Sequence, residues 1–136
     1  MKLPTIFSFL IALFVIGSEV KSHSPHDNVH VVAFSPNYAL DQVIFCSLSH
    51  RNHFVLRSEN GGKSWSPSQR GIPHSDVVCL AISPDYDPQN GVVFAGTRRK
   101  GLFRSADGGR SWTSTTDPIR IATIAISPDF AIDQVV

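Results

Sequence analysis

The side chains able to do chemistry are scattered along this chain. Asp76, Asp87, Asp117 and Asp133 all stand among turn-forming residues. Hydrolysis of a glycosidic bond needs two carboxylates held at a set separation, and each of these four reads instead as a turn-former. The histidines are His23, His26, His30, His50, His53 and His74. His50 and His53 are three apart with Arg51 between them, but a zinc site needs further ligands that the spacing does not supply. No metal and no cofactor are therefore expected. No Gly-x-Ser-x-Gly elbow is present to hold a nucleophilic serine, and no catalytic residue is assigned. Cys46 and Cys79 have no second Cys or His pair beside them, which argues against a metal motif. They lie in the apolar runs VIFCSL and VVCLAI, as small buried hydrophobes; a disulfide between them is the alternative. The one charge cluster is Arg98-Arg99-Lys100, with Arg104 downstream. It reads first as a solvated turn and second as a patch for an acidic partner.

The elements that must position these residues follow from composition and pattern. The chain has 136 residues, of which 42% are hydrophobic and 17% charged, with a formal net charge of +1. That balance suits one globular domain and does not point to nucleic acid or an anionic membrane surface as a partner. The first residues stand apart. Lys2 precedes an apolar run from Ile6 to Ile16, broken only by Ser8, and Gly17-Ser18 ends it. This is the pattern of a secretory signal peptide, with cleavage expected after Ser22. The run is about half of the roughly 20 apolar residues that span a bilayer, so no stable membrane span is expected after cleavage. Residues 23–30 read as a short loose segment, and the compartment as secreted or lumenal.

From Val31 onward the chain repeats. VVAFSPNYALDQVIF, CLAISPDYDPQNGVVF and TIAISPDFAIDQVV align on Ser35, Ser83 and Ser127, at steps of 48 and 44 residues. Between them FVLRSENGGKSW aligns with GLFRSADGGRSW, placing Trp65 and Trp112 at a step of 47. A period in the mid-forties is that of one four-stranded propeller blade. Short apolar runs, Val31–Phe34 and Val77–Ile82, stop at Ser-Pro, where proline cannot extend a ladder. Gln42–Leu48 and Gly91–Thr97 follow as second strands, then Phe54–Arg57 and Gly101–Arg104 as third strands. A Gly-Gly turn leads into a fourth strand beginning at Ser64-Trp65-Ser66 or Ser111-Trp112-Thr113. No helical apolar period is present after the leader. The fold class is all-β: antiparallel four-stranded blades, blade 1 about 31–76, blade 2 about 77–120, and the start of a third at 121–136.

The turn segments resemble the Asp-box, or BNR repeat, Ser-x-Asp-x-Gly-x-Ser/Thr-Trp. Ser105, Asp107, Gly109, Ser111 and Trp112 match every defined position, and Ser58, Gly62, Ser64 and Trp65 match in the first copy, where Asn60 replaces Asp. The side-chain oxygen at Asn60 or Asp107 can accept backbone N–H bonds. The Gly pairs can take positive φ, and both Trp rings are expected to be buried and to pin the turn to its sheet. One carboxylate per turn is too few for a calcium cage. The resemblance covers the chain from about Val29 and implies a β-propeller, as in sialidases, sortilin-type receptor ectodomains, photosystem II assembly factors and secreted xyloglucanases. In these families the boxes lie at the blade periphery, away from the binding face, so they do not name a substrate.

A sialidase would need an arginine triad, opened by Arg-Ile-Pro near the mature N-terminus. Here Arg120-Ile121 lacks the Pro. The reading is thus a secreted or lumenal, non-catalytic binding or scaffold module with an unknown protein or glycan ligand. The alternative is the N-terminal fragment of a secreted glycoside hydrolase of sialidase or xyloglucanase type. Propellers need about four to eight blades, so an incomplete ring is expected in either case.

Overall fold

The computed structural model of the protein describes residues 28–49, 55–73 and 76–136. The expected leader, residues 1–22, lies outside the described residues, as do His23, His26, His50, His53 and His74.

Among the described residues, the fold consists of two antiparallel sheets of four strands each. The first runs in sequence order through β1 (Asn28–Phe34), β2 (Ile44–Ser49), β3 (Val55–Ser58) and β4 (Ser66–Pro67). The second repeats it with β5 (Val77–Ile82), β6 (Val93–Thr97), β7 (Leu102–Ser105) and β8 (Thr113–Ser114). Each sheet is a meander in which every strand pairs with the next, which is the architecture of a propeller blade. The repeat extends to register: Ile44 pairs with Ser58 in the first blade, and Val93 with Ser105 in the second.

Strand β1 begins at Asn28, three residues before the expected start, because Asn28 and Val29 pair with Ser49 and Leu48. The loose segment expected over residues 23–30 is therefore strand from Asn28 onward. The turn after each Ser-Pro is closed differently from copy to copy. In the first and third it is one helical turn, α1 (Tyr38–Asp41) and α2 (Phe130–Asp133), ending in Gln42 and Gln134 at φ 54. Ser35 Oγ donates to Asp41 Oδ2, and Ser127 Oγ to Asp133 Oδ2, both at 2.5 Å. The second copy carries one extra residue and no Asp at that place, and Ser83 Oγ is buried without a hydrogen-bond partner.

The core sits between the two blades. Val43, Phe45 and Val55 of the first face Val77, Tyr86, Val93 and Trp112 of the second in one buried cluster. This explains why β2 and β6 are apolar on successive residues: their residues are buried on both faces along Ile44–Ser47 and Val93–Thr97. Phe45 meets Tyr86 edge-on, with ring centroids 6.2 Å apart. The third copy repeats this contact one blade further on, for Phe130 meets Phe94 edge-on at 5.8 Å. Residues 121–136 otherwise form no paired strand. A strand needs a ladder partner, and here the segment lies against blade 2, with Ile121 N–H donating to Thr97 O at 3.0 Å.

Candidate functional site

Each repeated turn is closed by its own side chains. In blade 1, Ser58 Oγ accepts from the N–H groups of Asn60 (3.3 Å) and Gly62 (2.9 Å). Asn60 Oδ1 accepts from Ser64 N–H at 2.9 Å, while its Nδ2 donates to Ser64 Oγ at 2.8 Å. In blade 2, Ser105 Oγ accepts from Asp107 and Gly109 N–H, at 3.3 and 2.9 Å. Asp107 Oδ1 accepts from Ser105 Oγ (2.7 Å), Arg110 N–H (2.8 Å) and Ser111 N–H (2.9 Å), and its other oxygen accepts from Ser111 Oγ. Gly61, Gly62, Gly108 and Gly109 all have positive φ, from 69° to 89°, which a glycine takes at little cost. Burial works to raise the Asp107 pKa, but the Ser111 hydroxyl and the other donors outweigh it and hold the carboxyl at about 2. The Asp107 charge is thus taken up by its own turn.

The two tryptophans part company. Trp112 is 4% exposed, and its Nε1 donates to Ser68 O at 2.9 Å, across the blade junction. Its backbone N–H donates to Arg70 O at 2.8 Å, and Gly71, at φ +98, approaches so closely that a Cβ would lie 2.0 Å from Trp112 O. Trp65 carries the same motif but is 39% exposed, with Nε1 turned back onto Gly62 O of its own turn. The expectation that both rings are buried holds for Trp112 alone: among the described residues, Trp112 lies against the blade before it and Trp65 does not.

The expected basic patch divides as well. Arg98, Arg99 and Lys100 are exposed on the β6–β7 hairpin. Thr97 Oγ1 closes that hairpin, donating to Gly101 O and accepting from Lys100 N–H, each at 2.8 Å. Arg98 Nε lies 3.4 Å from Asp76 Oδ2. Arg104 is not part of this group: it lies within β7, paired with Phe94 and Thr113, and not on the hairpin turn. Cys46 and Cys79 are free thiols, and burial raises the pKa of each. Among the described residues no group of three or more His, Cys, Asp or Glu could hold a metal, and no helix is long and apolar enough to cross a membrane.

A polar cavity of about 360 Å³ that no sequence motif announces lies at the blade junction. Arg57, Glu59, Ser64, Ser66, Ser68 and Arg110 line it. The Arg57 side chain is 8% exposed, with its guanidinium 5.8 Å from the Phe45 ring centroid. Nη2 donates to Pro88 O at 3.2 Å, and Nη1 donates to Glu59 Oε1. Burial alone would lower the Arg57 pKa; the Tyr86 hydroxyl and Glu59 more than offset it. A signal was available: Arg57 recurs as Arg104 in VLRS and LFRS, and Tyr86 recurs as Tyr38 and Phe130.

Fold and junction together define a class: consecutive blades of a β-propeller, sealed to one another by an aromatic residue from the later blade. The particular likeness is to vacuolar protein sorting/targeting protein 10 of Laccaria bicolor, 31% identical over 137 residues. The alignment covers 98% of this chain and 9% of that protein's length, so the chain corresponds to a small part of its relative. The relationship is sortilin-like. No family model matches the chain.

Proposed function

We propose that this chain supplies Asp-box (BNR) blades to the propeller of a sortilin-like sorting receptor, acting as a binding module and not as an enzyme. The observation that carries the reading is the likeness, over nearly the whole chain, to a protein named for vacuolar sorting and targeting. The route would be secretory or vacuolar, entered through a leader over residues 1–22. Blade 1 would span about 31–76, blade 2 about 77–120, and a third would start at 121–136. Within the turns at Ser58–Trp65 and Ser105–Trp112, the Ser58, Asn60, Ser105 and Asp107 side chains serve structure, since they are bonded to backbone N–H groups of their own turn. The ligand, a protein or glycan with acidic groups, would meet the exposed Arg99 and Lys100 on the β6–β7 hairpin, with Arg98 steadied by Asp76.

Two measurements test this. N-terminal sequencing of the secreted product is expected to begin at His23; a product starting at Met1 removes the leader. Disrupting the gene in its host is expected to divert a vacuolar or lysosomal hydrolase into the medium. An R99E/K100E allele should reproduce that defect without loss of the protein. Normal hydrolase sorting in both strains would overturn the reading.

A further inference from the structure

The cavity at the blade junction holds two guanidinium groups against one carboxylate. Arg57 Nη1 donates to Glu59 Oε1, and Arg110 Nη2 lies 3.6 Å from the same oxygen. The two arginines do not depend on Glu59 for their placement. Arg110 Nη1 donates to Pro88 O at 2.9 Å and to Asp107 O at 2.8 Å. Arg57 is fixed by Pro88 O and by the Phe45 ring, and its buried Nε has no hydrogen-bond partner. Glu59, by contrast, is 58% exposed, on a long side chain free to leave. The turn does not require it either. In the second copy Ala106 stands at the place of Glu59, while Arg104 stands at that of Arg57.

A guanidinium removed from water needs a carboxylate or an equivalent acceptor, and arginine pairs best with a planar group offering two oxygens. We propose that this cavity is a carboxylate-binding site for an acidic peptide side chain, in which Glu59 is the resident stand-in that the ligand displaces from Arg57 and Arg110. The exposed hydroxyls of Ser64 and Ser66 border the cavity and offer further hydrogen bonds to the incoming peptide. Its volume of about 360 Å³ lies within the roughly 300–1,000 Å³ of small-ligand sites. The site lies at the end of the blades that carries the Gly-Gly turns, away from the β6–β7 hairpin, and does not rest on the sorting reading.

The test is titration of the full secreted chain with a blocked hexaglutamate peptide, followed by calorimetry. E59Q removes the competing carboxylate and is expected to tighten binding about threefold or more. R110Q, checked for an unchanged circular dichroism spectrum, is expected to weaken it about tenfold, the loss of one charge-assisted pair. R99Q/K100Q should leave the affinity unchanged, which separates this site from the proposed hairpin contact. Absence of hexaglutamate binding, equal binding of blocked hexaglutamine, or affinity unmoved by both E59Q and R110Q would overturn the proposal. So would displacement of the peptide by inorganic phosphate at lower concentration than by acetate, which would make the site a phosphate site.

Discussion

Asp107 and Asn60 do the same geometric work with different charge. Each accepts the N–H at the fourth residue after it, through one oxygen, at 2.9 Å. Only Asp107 titrates, and its folded-state pKa of about 2 lies below the ordinary carboxylate value. A depressed pKa means that the unfolded chain takes up the proton first. The stabilisation is therefore fully present above about pH 4 and is lost as the pH falls towards 2. D107N should keep the Oδ1 bonds, cost about 1 kcal/mol at neutral pH after solvent screening, and flatten the acid limb of stability between pH 4 and 2. Chemical denaturation at several pH values reads both effects. At Tyr86 the ring and the hydroxyl separate cleanly. The hydroxyl donates to Gly108 O at 3.1 Å, yet the equivalent residue in the third copy is Phe130, which makes the same edge-on contact without one. Y86F should cost about 1 kcal/mol and Y86A about 3–5 kcal/mol, both by urea denaturation. Equal losses would show that the hydroxyl, and not the ring, seals the junction.

The elements themselves were largely legible. A Ser-Pro stop, a Val- and Phe-rich run and a Gly-Gly turn are local signals, and they place the strands to within a few residues. Their burial was not legible, because identical sequence meets different neighbours. Trp65 and Trp112 occupy one motif, but only Trp112 crosses to Ser68 and Arg70 of the preceding blade. W112A should therefore lower stability by about 3–5 kcal/mol, and W65A by clearly less, compared as shifts in thermal midpoint. G71A belongs to the same element: a methyl group there meets Trp112 O at 2.0 Å at a φ of +98. It is expected to destabilise at least as much as a lost helix cap, about 1–2 kcal/mol, even though Gly71 is exposed. Matching losses for W65A and W112A would mean that the ring's own turn, not the junction, carries its contribution.

At the scale of the molecule, the two blades share one core. Val43, Phe45 and Val55 have their burial partners in the second sheet, and Ser47 Oγ donates to Val77 O at 2.8 Å across the junction. Neither sheet buries an apolar face of its own without the other, so the pair is expected to unfold as one unit. F45A, which removes the ring seated on Gly109 and Tyr86, should raise amide hydrogen exchange in β2 and in β6 together. Faster exchange in β2 alone would mean that the blades open independently. The same coupling gives the repeat its direction, since each later copy covers the one before it: Tyr86 on Phe45, then Phe130 on Phe94.

Whatever local chemistry closes can be read along the chain. That covers the all-β class, the blade period, and the turns in which Ser58, Asn60, Ser105 and Asp107 satisfy backbone groups within four residues of themselves. Which copies of a repeated residue are buried is settled by packing in three dimensions. Arg57 is packed against Phe45 beside Glu59, and Trp112 is locked onto Ser68, while Trp65 stays open. Hydrogen bonds within a turn depend on neighbours along the chain, and these the sequence states outright. Burial depends on the surface that another blade brings across roughly 45 residues, and a repeat cannot say which of its copies has such a neighbour.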